Sequence, residues 1–202
     1  YLAIDGQLAA VICIADPLRE EAPDVLAALR RLGIQKAVML TGDSRRTAEA
    51  VASHIGVDDF CAEVLPEDKA NYVAALRAQG HTVIMVGDGI NDSPALSEAD
   101  AGIAVSDGAA IAQEIADVTI AAESLWELVR LRQLAMALNS RIRNIYRFVL
   151  GFNGGLIALG VAGLLPPSTS ATLHNLSTLG ISLHSMTSLP CKEIETKPEK
   201  RS

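Results

Sequence analysis

"TVIMVGDGINDSPAL", residues 82–96, opens on a short apolar run and then sets Asp88, Asn91 and Asp92 among glycines. An apolar run of this length without internal alternation reads as a strand buried on both faces, the habit of parallel sheets covered by helices. In such sheets the carboxyl ends of the strands form the crevice where ligands bind. The polar cluster therefore stands where chemistry is done, and a plain turn would not have needed three such side chains.

Outward from this stretch the same alternation recurs between residues 8 and 121. Apolar runs "LAAVICIA", "KAVML", "AGIAV" and "DVTIA" are interleaved with helical patterns "EEAPDVLAALRRLG", "SRRTAEAVASHIG" and "PEDKANYVAALRAQG". Gly33, Gly56 and Gly80 each follow a helical pattern, where a left-handed cap is wanted. The reading is an α/β fold with a mostly parallel sheet. Two further strand ends carry polar groups: "TGD" at 41–43, and Asp16 after "VICIA". Carboxylates gathered at one sheet edge repel unless a cation lies between them, and hard oxygen ligands favour Mg²⁺ with phosphate oxygens completing its shell. Gly42, Gly87 and Gly89 permit close backbone approach, and Thr41 can donate a hydroxyl to the same oxygens. Lys69, at the start of a helix, is a compact charge suited to a transferring phosphoryl group. Taken singly, "TGD" also reads as a turn with a helix cap and Lys69 as a surface lysine.

The chain has 202 residues, 50% hydrophobic and 3% aromatic, with a mean hydropathy of +0.27. That is apolar for one soluble domain and points to lipid contact. A net charge of −7 with no basic patch argues against a nucleic-acid partner. Cys13, Cys61 and Cys191 are far apart and form no C-x-x-C pair, so they read as idle thiols of a reducing compartment. The start at "YLAIDGQ", without methionine or leader, reads as a piece of a longer chain.

Past Glu123 the period changes to a long helical pattern, with a connecting helix expected over 124–147 and two membrane helices over 148–190. Residues 148–165 carry no charge, and 171–190 are uncharged apart from His174 and His184. With a short external turn at "PPSTS", 166–170, they read as a transmembrane hairpin. Two helices of a soluble core are the competing reading. Arg141, Arg143 and Arg147 precede the first span; Lys192, Lys197, Lys200 and Arg201 follow the second in a solvated tail, 191–202. By the positive-inside bias both ends face the cytosol, and the protein sits in a plasma or inner membrane. Within the spans Asn153, His174, Asn175 and Thr178 are polar groups that either line a cation path or pack helices together.

"MLTGDSRRTAEAVASHIGV", "AEVLPEDKANYV" and "IMVGDGINDSPALSEADAGIAV", in this order, resemble the phosphorylation domain of P-type ATPases, a haloacid-dehalogenase-like Rossmannoid fold. "GAAIAQEIADVTI" and the closing spans resemble the heavy-metal-transporting branch. The resemblance implies an end of the nucleotide-binding domain and a re-entry strand over 1–15, and a phosphorylation domain over 16–123. It implies that Asp88 binds Mg²⁺, that Thr41, Gly42 and Asp43 contact the phosphoryl group, that Lys69 stabilises it, and that Asn91 and Asp92 order the site. Asp16 resembles the acid at the hinge where the chain re-enters the domain. ATP is expected to be held mainly by a nucleotide domain outside this chain, and the cargo to be a transition-metal cation.

One departure stands out: the family's nucleophile lies in a D-K-T-G-T motif that this sequence lacks. The chain is therefore expected to be the C-terminal part of a pump, inactive without the N-terminal remainder. The alternatives are a haloacid-dehalogenase-like phosphatase, for which Asp16 is the candidate nucleophile, and a non-catalytic membrane-anchored regulatory subunit.

Overall fold

The structure, a computed structural model, describes residues 2–11, 18–88, 91–105, 114–121 and 123–189. The chain divides into two compact units, Tyr1–Leu125 and Trp126–Ser202.

The first unit begins with a feature the sequence reading passed over. Strands β1 (Leu2–Ile4) and β2 (Gln7–Ala10) form an antiparallel hairpin with Ile4 opposite Gln7. Asp5 and Gly6 close it with φ of 50° and 77°, the left-handed pair that a two-residue turn requires. The run expected to start a parallel strand at Leu8 thus pairs with its own neighbour over Gln7–Ala10.

Next come α1 (Ala22–Arg31), β3 (Val38–Leu40), α2 (Arg45–Ile55), β4 (Asp59–Cys61), α3 (Pro66–Ala78), β5 (Ile84–Gly87), α4 (Ser93–Glu98), β6 (Ala101–Val105) and β7 (Val118–Ile120). β3 pairs with β4, and β5 with β6 and then β7, all in parallel. Strand β4 is three residues opening on an acid, too short for an apolar run to announce it. Each of the first three helices ends in a Schellman turn on its glycine. Ile34, Val57 and His81 donate N–H groups five residues back, at 3.1, 3.3 and 3.2 Å, with Gly33, Gly56 and Gly80 at φ 92°, 78° and 85°. Pro66 starts α3 at a position whose N–H has no helical acceptor.

The tightest packing lies between α3, α4 and β6. Val73, Ala95, Leu96 and Ala104 are each no more than 2% exposed. Gly102 allows α4 to lie directly on the strand, because a Cβ there would come within 2.5 Å of the Leu96 carbonyl oxygen. Glu21, just before α1, accepts from Ser124 Oγ at 2.9 Å and from the Leu125 N–H at 2.6 Å, tying the end of this unit back to its first helix.

Surface carboxylates fix the loops. Asp100 accepts from the Val83 N–H at 2.8 Å and from Arg77 Nε at 3.1 Å; Asp58 accepts from the Ala37 N–H at 2.8 Å and faces Arg30. The backbone N–H in each case, helped by the arginine, holds these carboxyls below the usual range, and Lys36 does the same for Asp59. Carboxyls depressed in the folded state add stability that is complete above their unfolded values and lost as pH falls.

The second unit is a helical hairpin. Helix α5 (Trp126–Val161) runs without a break through the boundary expected at 147/148, so the segments expected as connecting helix and first span form one rod of ~54 Å. It ends on Gly163, at φ 74°, with the Leu164 N–H on the Leu159 carbonyl at 3.0 Å. Helix α6 (Pro167–Ser185) begins inside the stretch expected to be the turn, since a proline fits a first helical turn; the break falls at residues 162–166. Arg141 on α5 donates to the carbonyls of Thr187 and Ser188 at 2.6 and 2.9 Å, and Asn153 meets His174, so the two helices run antiparallel. Among the described residues only α5 is long and apolar enough to cross a membrane, with 6% of its apolar window buried. The serines, threonines and histidines of α6 lower its hydropathy below that of a plain span. The expected tail, 191–202, lies outside the described residues.

Two outcomes follow from this packing. Gly102→Ala should cost ~1–3 kcal/mol, by driving a methyl group into the α4 backbone, read as a shift in the urea midpoint. Asp100→Asn should lower stability at pH 7, and the difference from the parent should close below about pH 4, read by thermal melts across the acid range.

Candidate functional site at the strand ends

The polar residues singled out in the sequence stand after β3, β4 and β5, and hydrogen bonds join them into three groups, Thr41 with Asp43, Lys69 with Asp92, and Asp88 with Asn91. Thr41, Gly42 and Asp43 leave β3 in a closed loop: Thr41 Oγ1 donates to Asp43 Oδ2 at 2.8 Å and accepts the Asp43 N–H at 3.1 Å. The segment after β4 is stitched to this loop, with the Val64 N–H on the Thr41 carbonyl at 3.0 Å and the Glu63 N–H on the Asp43 carbonyl at 2.9 Å. Glu63 takes a left-handed backbone, φ 58°, to make that bond. Five residues after Val64, Lys69 stands in the first turn of α3, and its Nζ meets Asp92 Oδ1 at 2.7 Å.

Asp92 caps α4 by position, but its side chain makes no cap hydrogen bond. It turns to Lys69 instead, and both side chains are 14% exposed. Gly87 makes this possible: a Cβ there would come within 2.7 Å of the Asp92 Cβ. By sequence the glycine offers a place for phosphate to approach; in the structure it makes room for a carboxylate. No motif at one position could have shown this, because the obstacle comes from five residues further on.

Asp88 follows β5 and is exposed. Its Oδ1 accepts the Asn91 N–H at 3.2 Å, and its Oδ2 the Asn91 side-chain amide at 3.4 Å, an arrangement that fixes the carboxylate at the mouth of the strand. Asp16 and Gly89 lie outside the described residues. The sequence reading had acids accumulate until a cation was needed between them. Among the described residues no three His, Cys, Asp or Glu side chains gather around one point. Asp92 is neutralised by Lys69, and Asp43 is occupied by Thr41. The exposed Asp88 carboxylate, held by Asn91, fits a hard divalent ion that takes one or two protein carboxylates and completes its shell with phosphate and water.

In the helical unit, His174 Nδ1 and Asn153 Oδ1 are 3.0 Å apart. Thr178 Oγ1 donates back to the His174 carbonyl at 3.1 Å, and Ser177, Ser182 and Ser185 likewise bond backbone carbonyls one turn earlier. Their hydroxyl protons are thus used within the helix. Of the four polar residues picked out, the structure joins Asn153 to His174, leaves Thr178 on its own backbone, and places Asn175 on an exposed part of α6.

A family model described as haloacid dehalogenase-like hydrolase matches residues 2–100. The manganese-exporting P-type ATPase of Mycobacterium leprae (strain TN) is 42% identical over 180 residues, 89% of this chain and 25% of its own length. The copper-transporting ATPase 2 of Rhizobium meliloti (strain 1021) is 43% identical over 173 residues, 86% of this chain and 21% of its own. The solved structure of a zinc-transporting PIB-type ATPase in its E2.Pi state superposes with a TM-score of 0.78 at 34% identity, over 85% of this chain and 28% of that one. This chain spans about a quarter of the length of the relatives it matches. Over the stretch it spans, it carries a haloacid dehalogenase-like hydrolase domain and belongs to the heavy-metal P-type ATPases.

Proposed function

We propose that this chain is the C-terminal part of an ATP-driven pump for a transition-metal cation that works through an aspartyl phosphate. The observation that supports the reading is the set Thr41–Asp43, Lys69–Asp92 and Asp88–Asn91, which stands where β3, β4 and β5 pass into their helices, with the Lys69–Asp92 pair joining the β4–α3 junction to the β5–α4 junction. The nucleophilic aspartate and most of the ATP site belong to a portion of the pump that this chain does not contain. On its own the chain is inactive toward phosphate esters, which separates this reading from a free-standing phosphatase.

Asp88 and a phosphoryl oxygen would hold Mg²⁺, which supplies Lewis-acid withdrawal of charge from the transferring group when bound. Asn91 keeps the Asp88 carboxylate aimed outward from the strand. Lys69, fixed by Asp92, presents a positive charge that need not reorganise as negative charge shifts during transfer. The Thr41 hydroxyl and the loop around Gly42 can donate to the remaining phosphoryl oxygens.

Helix α5 would cross the bilayer, with α6 returning, so that the α/β unit and the C-terminus lie on the cytosolic side. The exposure of the α5 apolar window favours this over a soluble core helix, which would be mostly buried. His174 and Asn153, facing each other between the helices, are the candidate groups on the cation path. Imidazole nitrogen suits several transition metals. The relatives' names, which specify manganese, copper and zinc, do not choose among them.

In the complete pump, Asp88→Asn should lower Mg²⁺-dependent turnover about a hundredfold or more; turnover that stays at the parent level would remove Asp88 from the site. His174→Ala should reduce metal-stimulated ATP hydrolysis by about tenfold while leaving phosphorylation by inorganic phosphate in place. An unchanged metal response would return His174 to helix packing.

A further inference from the structure

The helical unit is unbalanced in charge. Among its described residues, 126–189, the single acid is Glu127, against Arg130, Arg132, Arg141, Arg143 and Arg147. Arg130 pairs with Glu127 at 2.8 Å, and Arg141 is spent on the carbonyls that follow α6. Arg143 and Arg147 are exposed and have no ion pair among the described residues. They are one turn apart and so share a face of α5.

Beside them runs a second row at the same spacing, Ile142, Tyr146 and Leu150, which are 56%, 63% and 57% exposed. After Arg147 the helix carries no further charge to its end at Val161. A basic row and an apolar row therefore lie side by side where the uncharged segment begins, with a tyrosine in the apolar row beside the two arginines.

We propose that Arg143 and Arg147, with Tyr146 alongside, form a seat for the headgroup of an anionic phospholipid. This rests on the reading of α5 as a membrane span. Two guanidinium groups can grip phosphate oxygens bidentately, while their alkyl stems lie on apolar surface. Tyrosine favours this same interfacial depth, and the adjoining Ile142 and Leu150 would meet the upper acyl chain. Charge complementarity selects the occupant: the helical unit's described residues offer these arginines no carboxylate, whereas an anionic lipid brings an uncompensated phosphate. A zwitterionic headgroup carries its own cation and should be held less well.

The test is lipid selectivity of the 202-residue chain reconstituted in phosphatidylcholine vesicles, read by electron paramagnetic resonance of trace spin-labelled phosphatidylglycerol or phosphatidylcholine. Phosphatidylglycerol should associate about tenfold more strongly and lose most of that preference at high salt. The double variant R143Q/R147Q should bring the ratio close to one, and R143K/R147K should keep part of it. Equal association in the parent, or a preference that survives R143Q/R147Q, overturns the seat; equal association would be expected if an acidic protein segment occupies these arginines. A chain that does not float with vesicles after an alkaline wash overturns the bilayer reading of α5 and the seat with it, whereas a chain that inserts without selectivity overturns the seat alone.

Discussion

The ammonium of Lys69 and the carboxylate of Asp92 meet at 2.7 Å with little exposure on either side. Taking two charges largely out of water is costly, and a partly buried pair of this kind contributes little net stability compared with an apolar contact. What it provides is position. Lys69 belongs to α3, Asp92 opens α4, and through Val64 and Glu63 the segment before α3 is bonded to the Thr41–Asp43 loop. Breaking the pair would free the lysine, uncouple two strand ends and leave a carboxylate close to Asp88. The constraint reaches into the sequence as well, since Gly87 cannot carry a side chain without displacing Asp92.

In the helical unit the corresponding restraint is the fork of Arg141 on the last carbonyls past α6, with the Asn153–His174 contact about three turns further along α5. Most hydroxyls of α6 are bonded to their own backbone, so the hairpin has few polar groups that point elsewhere. A polar pair that bridges the helices, set in a segment without charges, is the exception and carries the functional interest.

Much of this was legible beforehand. Apolar runs without alternation gave the parallel strands, and glycines after helical patterns gave three helix ends that the structure closes with Schellman turns. The Asp5–Gly6 turn was equally legible by its dipeptide and was passed over, because the apolar run after it suggested one long strand. Strand β4 could not be seen: three residues beginning with an acid have no periodicity, and its place beside β3 comes from pairing alone. The segment boundary at 147/148 lies where charge stops; backbone hydrogen bonding does not respond to that change, and the two segments form one helix, α5.

The sequence by itself determined which side chains are available: the carboxylates, hydroxyl and lysine of the kind that phosphate and a hard cation call for, in what order they come, and where charge disappears from the last long helices. These are properties of side-chain type and spacing, which a linear reading keeps. Only the tertiary structure decided which acid meets which base. Asp88, Asp92 and Asp43 are alike as sequence, yet one is held by Asn91 at the strand mouth, one is neutralised by a lysine 23 residues away, and one is closed on its own loop. Long-range pairing follows from how helices stack on a sheet, and electrostatic cost is settled only once that packing has fixed the distances.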